Sequence, residues 1–144
     1  MLSKKAKYAI HALIRLAKER ENGPTVISEI SKQEHIPQKF LEAILLDLNK
    51  AGFISSKKGR NGGYYLRMHP DDINLADIHR AMDGAIALLP CVTYNYYERC
   101  EECVDEKTCP IRVAVKEVRD STVAIMKKYT LTQLLEEEGS LKAF

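Results

Sequence analysis

Apolar residues recur at spacings of three and four along residues 4–18, where Ala6, Ile10, Leu13, Ile14 and Ala17 share one stripe of an amphipathic helix. Ser3 is placed to cap it and "ENGP" at 21–24 to end it. A short helix is predicted over 27–34. A better defined one follows within "HIPQKFLEAILLDLNKAG" at 35–52. There Pro37 suits the first turn, where its missing N–H has no intrahelical partner. Phe40, Leu41, Ile44, Leu45 and Leu48 make the apolar stripe, and Gly52 is the stop. Two short helices across a tight turn predict a helix-turn-helix, although a plain helical hairpin shares the pattern.

The pattern then changes to strand, loop, strand in "FISSKKGRNGGYYLRM" at 53–68. Phe53 and Ile54 open the first strand; Tyr64, Tyr65 and Leu66 open the second. Residues 57–63 form the hairpin loop, with the glycines and Asn61 expected to supply positive φ. The predicted fold is mainly α with a small β-hairpin wing, a winged helix-turn-helix. In such a fold the second helix enters the major groove, with Gln38, Lys39 and Glu42 towards the bases. The wing, with Lys57, Lys58, Arg60, Asn61, Gly62, Gly63 and Tyr64, lies on phosphate or in the minor groove.

Asn74 is placed to cap a helix over 75–83 and Gly84 to end it, whereas 85–108 carries no periodicity. From Pro110 a long helix runs to about Lys128. Ile111, Val115, Val118, Thr122, Ile125 and Tyr129 form a heptad-like seam of under three heptads. The seam serves either packing on its own domain or the dimer interface that a two-fold operator requires. "TLTQ" at 130–133 is a capping box for a short last helix. The expected division is a DNA-binding domain at 1–84, a cysteine-bearing loop at 85–109, and a dimerisation helix with a short terminal helix at 110–144.

Charge sharpens this picture. The net charge of +2 hides an asymmetry: residues 1–69 carry 13 Lys and Arg against 6 Asp and Glu, a net +7, and residues 70–144 carry 9 against 14, a net −5. A basic half points to a polyanion, with an ordinary solvated surface as the alternative. No apolar run approaches the ~20 residues of a membrane span. The Lys-rich start is interrupted by His11 and Arg15 and precedes no small-residue cleavage site, so it reads as helix rather than signal, and a cytoplasmic location is expected. No nucleophile-base constellation or phosphate-binding glycine loop stands out, so no enzymatic activity is expected.

Four cysteines, Cys91, Cys100, Cys103 and Cys109, occupy a C-x8-C-x2-C-x5-C pattern. In a reducing compartment they point to metal or redox chemistry rather than structural disulfides. Thiolates suit zinc or iron–sulfur clusters. A zinc knot usually pairs two CxxC hairpins, and only Cys100 and Cys103 form one here. A thiol or disulfide switch stays open. His11, His35, His69 and His79 read as structural or solvated, His11 being the one placed to reach a loop.

Taken together, "LSKKAKYAIHALIRLA", "IPQKFLEAILLDLNKAGFISSKKGRNGGYYL", "DIHRAMDG", "CPIRVAVKEV" and "TLTQLL" resemble the bacterial winged-helix regulators of the IscR, NsrR, RirA and CymR family, in the same order and over nearly the whole chain. The resemblance implies a homodimer whose long helices cross, bound to a double-stranded DNA operator. It also implies a loop that in many members holds a [2Fe–2S] or [4Fe–4S] iron–sulfur cluster on three cysteines. Cys91, Cys103 and Cys109 match those three, and Cys100 is additional. The family's usual fourth ligands fall at Arg112 and Lys7, which are not ligands, so all four cysteines are expected to ligate. The expected function is a transcription regulator controlled by such a cluster. The alternatives are a CymR-like repressor without one, controlled by a partner protein or thiol redox, and a metal- or protein-binding module with no DNA role.

Overall fold

The computed structural model describes residues 2–143. α1 (Lys4–Lys18) begins where the Ser3 hydroxyl accepts the Ala6 N–H at 2.9 Å. The Ser3 N–H and hydroxyl both donate to the Asp83 carboxylate, which ties the start of α1 to the end of α4 (Leu75–Asp83). Small side chains, Ala6, Ala9 and Ala12, lie on the buried face of α1 and let its neighbours approach closely; Leu13 and Leu16 complete that face.

α2 (Ile27–Glu34) ends at His35, whose φ of 54° is the one positive value at a non-glycine among the described residues. The Ser31 hydroxyl donates to the Ile36 carbonyl at 2.6 Å and closes the turn into α3 (Gln38–Lys50), with Pro37 as its N-cap. α3 buries Leu41, Ile44, Leu45 and Leu48. Phe40, expected in that stripe, is instead 64% exposed. It stands about 100° round the helix from Leu41, and the four aliphatic residues already fill the inward side.

β1 (Ile54–Lys57) pairs antiparallel with β2 (Gly63–Leu66), Ile54 opposite Leu66 and Lys57 opposite Gly63. Positive φ in the connecting loop falls at Gly59 (109°) and Gly63 (144°) and not at Asn61. The Gly62 N–H reaches the Gly59 carbonyl at 3.0 Å, a turn that leaves residue 61 in ordinary backbone. Thr25, just before α2, exchanges two 2.8 Å backbone hydrogen bonds with Tyr64, so the hairpin base is anchored to the helical body.

α4 starts where the Asn74 side chain accepts the Asp77 N–H at 3.0 Å and ends at Gly84, φ 87°. Between it and α5 (Pro110–Lys128) the chain is irregular apart from a 3₁₀ turn at Pro90–Val92. α5 packs inward through Arg119 and Val123. Of the predicted seam, Val115 and Tyr129 are half-buried, whereas Ile111, Val118, Thr122 and Ile125 face solvent. α6 (Leu131–Lys142) is capped by the Thr130 hydroxyl, which accepts the Gln133 N–H at 3.2 Å. Only half of the predicted capping box forms, because the Gln133 side chain turns to Glu136.

α6 folds back onto α1. Leu131 is fully buried in the same core as Leu13 and Leu45, and its N–H donates to the Ile73 carbonyl at 2.9 Å. Lys18 meets Glu138 at 2.6 Å. Lys142 first and Lys18 second hold the Glu138 carboxyl down at about 2. Among the described residues, no helix is long and apolar enough to cross a membrane.

Candidate nucleic-acid interface and cysteine loop

Gln38, Lys39 and Glu42 all project from α3 into solvent, as do Lys57, Lys58, Arg60 and Asn61 from the hairpin. Among the described residues, neither Lys39 and Lys50 on α3 nor Lys57, Lys58 and Arg60 on the hairpin takes part in an ion pair. Their charge is therefore available to an external anion. The other predicted wing residues are placed differently. Gly62 is buried, Gly63 is half-buried, and Tyr64 packs against the core. Any side chain at Gly62 would meet the Lys57 carbonyl at 2.2 Å, so this glycine shapes the tip.

Ala43, Leu46 and Lys50, which were not among the candidate residues, form with Lys39 the middle of the outer face of α3. The signal was the helical wheel: Leu46 lies about 160° from Leu48, the centre of the buried stripe. Asp47, at the edge of that face, is paired with Lys5 at 2.8 Å, and this hydrogen bond lowers its pKa.

The cysteine loop is held from both ends. Cys91 is buried, 5% exposed, in the middle of the Pro90–Val92 turn. The next residue, Val92, gives its carbonyl to the Arg119 guanidinium. Arg119 is itself only 7% exposed, lies 4.0 Å from the Tyr94 ring and donates to Asp120 at 2.6 and 2.9 Å. Cys100 and Cys103 share one turn, the Cys103 N–H reaching the Cys100 carbonyl at 3.2 Å. The Arg99 guanidinium donates to the Cys103 and Val104 carbonyls. The Cys109 sulfur caps α5, accepting the Arg112 N–H at 3.4 Å.

The Cys100 thiol lies within electrostatic reach of Cys91 and Cys103. Loss of water contact, then a hydrogen bond with the Cys91 thiol, then the charges of Cys91, Cys103 and Glu102, raise the Cys100 pKa. Cys109 serves as a helix cap. Among the described residues, no three His, Cys, Asp or Glu side chains are spaced to hold a metal ion as they stand. The donor set nonetheless fits a thiophilic centre in its chemistry: all four cysteines are free thiols within one segment of the chain, and thiolates are soft ligands. His11 is occupied otherwise, 3.5 Å from Glu34, which Arg15 also holds at 2.8 Å.

Residues 2–137 match the family described as "Rrf2: Iron-dependent Transcriptional regulator". The chain belongs to the Rrf2 family. A putative rrf2-like regulator of Rhodobacter capsulatus is 42% identical over 94% of this chain and 92% of its own. The regulator CymR of Bacillus subtilis is 36% identical over 84% of each chain. The solved structure of that CymR superposes with a TM-score of 0.77, covering 95% of this chain and 97% of that one. The Rrf2 relatives also include NsrR of Geobacillus kaustophilus, 30% identical over 99% of this chain and 94% of its own. This Rrf2 protein is thus a DNA-binding transcription regulator with a winged-helix fold, and not an enzyme.

Proposed function

We propose that this Rrf2 regulator binds its operator as a homodimer through the outer face of α3 and the basic hairpin tip, under the control of an iron–sulfur cluster held in the cysteine loop. The observation that carries the DNA interface is the set of five cations, Lys39, Lys50, Lys57, Lys58 and Arg60, that form no ion pair among the described residues, on one helix and the neighbouring hairpin. Lysines on a glycine-hinged tip adapt to the phosphate backbone; α3 residues meet base edges. The exposed apolar seam of α5 supports a partner helix there, since Val118, Ile111 and Ile125 are 47%, 63% and 60% exposed in one chain.

For the loop, the supporting observation is the set of four free cysteines, Cys91, Cys100, Cys103 and Cys109, within 19 residues of chain. When bound, a cluster supplies a redox-sensitive link between these side chains. Cys91 and Cys109 would join it from the two ends of the loop, the first fixed beside Arg119 and the second at the start of α5. The second reading, thiol control without a cluster, is favoured by the free state of all four cysteines: an added peroxide would oxidise a pair of them to a disulfide.

Two measurements test these parts separately. Lys58→Ala with Arg60→Ala is expected to lower the log–log salt slope of DNA binding by about two and to weaken binding on the order of tenfold at 0.15 M salt. An unchanged slope would place the hairpin away from DNA. Protein purified without oxygen is expected to absorb in the visible range and to carry iron and sulfide, and Cys103→Ala to lose both. Colourless, iron-free wild-type protein whose DNA binding responds to peroxide supports thiol control instead.

A further inference from the structure

The outer face of α3 carries an apolar feature that a solvated helix has no use for. Phe40, Ala43 and Leu46, at i, i+3 and i+6, form one oblique ridge; Phe40 is 64% and Leu46 55% exposed. An exposed helix face is ordinarily polar. Here the core is closed without these residues, because Leu41, Ile44, Leu45 and Leu48 fill the inward side. Lys39 and Lys50 bracket the ridge, both exposed and unpaired among the described residues. The ridge therefore lies between two cations, with the carboxylate of Glu42 exposed beside it, on the helix that packs next to the basic hairpin, and suits a polyanion with an apolar group on its surface.

In the DNA major groove the thymine C5 methyl is such a group, and alanine and phenylalanine side chains are among those that contact it. Six residues of helix rise about 9 Å, which matches about three base pairs at ~3.4 Å each. We propose that Phe40, Ala43 and Leu46 determine operator specificity by packing against thymine methyl groups beneath α3. The lysines at either end hold the flanking phosphates, and the ridge makes the adjoining steps of each half-site A·T pairs. This rests on α3 being the helix that meets the base edges.

The test uses the full chain and duplexes recovered by it from a randomised DNA pool. Each thymine is replaced singly by uracil, which removes only the methyl. At two or three adjacent positions per half-site, uracil is expected to weaken binding about fourfold, the value of one buried carbon. Leu46→Ala and Phe40→Ala, both at exposed positions, are expected to retain the far-UV spectrum and melting temperature of the wild type. They should also bring the thymine-to-uracil ratio close to one at those positions. Lys39→Ala and Lys50→Ala separate the two levels of the argument. If they weaken binding while every uracil substitution is silent, α3 faces DNA and the methyl proposal is overturned. Uracil effects that persist unchanged in Leu46→Ala and Phe40→Ala assign the methyls to another element and also overturn it. If neither lysine variant changes affinity, α3 is not the reading helix and both fail.

Discussion

Arg119→Met is expected to lower the unfolding free energy by about 2–4 kcal/mol, because it removes a buried charged donor and leaves the Val92 carbonyl without one. The guanidinium satisfies the Val92 carbonyl, holds Asp120 and stacks on Tyr94 at 4.0 Å. A hydrogen bond from a charged group is worth about 1.5–3 kcal/mol, and a cation–π contact adds roughly 0.5–2. An apolar isostere often replaces a buried ion pair at little cost. This case differs: Asp120 is 47% exposed and easily rehydrated, whereas the Val92 carbonyl lies against a side chain that can no longer donate. Urea denaturation of the two proteins measures the difference. Because Cys91 adjoins Val92 and is 5% exposed, its alkylation, followed by peptide mass spectrometry, should accelerate in the variant. Equal urea midpoints and equal Cys91 labelling would remove Arg119 from its place as the tie between loop and α5.

Gly63→Ala is expected to cost about 2–4 kcal/mol and to reduce the salt dependence of DNA binding while every basic residue is retained. Gly63 has φ 144°, and a Cβ there would lie 2.5 Å from the Thr25 carbonyl oxygen and 2.9 Å from the Val26 nitrogen. Both obstacles are backbone, so the hairpin base must move away from Thr25. The loss combines strain of about 1–3 kcal/mol with two weakened bridge hydrogen bonds of roughly 1 kcal/mol each. Displacing the base also displaces Lys58 and Arg60. Gly59→Ala is the control: at φ 109° it is strained, but nothing lies within 4 Å of the added carbon. A Gly63→Ala protein with the stability and salt slope of Gly59→Ala would exclude the Thr25 contact as the anchor of the hairpin.

What the sequence made legible were features with local causes. The caps at Ser3, Asn74 and Thr130, the stop at Gly52 and the glycine-rich hairpin each act within a few residues, and each stands where its pattern placed it. Phe40 was misplaced because it adjoins Leu41 in the run and spacing alone does not say which of two neighbours faces inward. Arg119 was missed because a charged residue in a polar stretch reads as surface; its partner carbonyl, 27 residues earlier, belongs to a segment with no periodicity. The Thr25–Tyr64 bridge was equally silent, since a single pair of backbone bonds across 39 residues leaves no trace in composition. The cysteine spacing was legible, but not that Cys109 serves as a helix cap.

Leu131 lies in the same core as Leu13 and Leu45, and α6 closes over α1. During synthesis, the helix-turn-helix and hairpin emerge from the ribosome long before the residue that completes their core. At ~5–20 residues per second, the roughly 60 residues between the end of the hairpin and Leu131 take several seconds to make. Until then the nascent domain lacks a fully buried side chain and the backbone bond from Leu131 to Ile73. Chain segments cut short before α6 therefore hold the helix-turn-helix and hairpin on an unfinished scaffold.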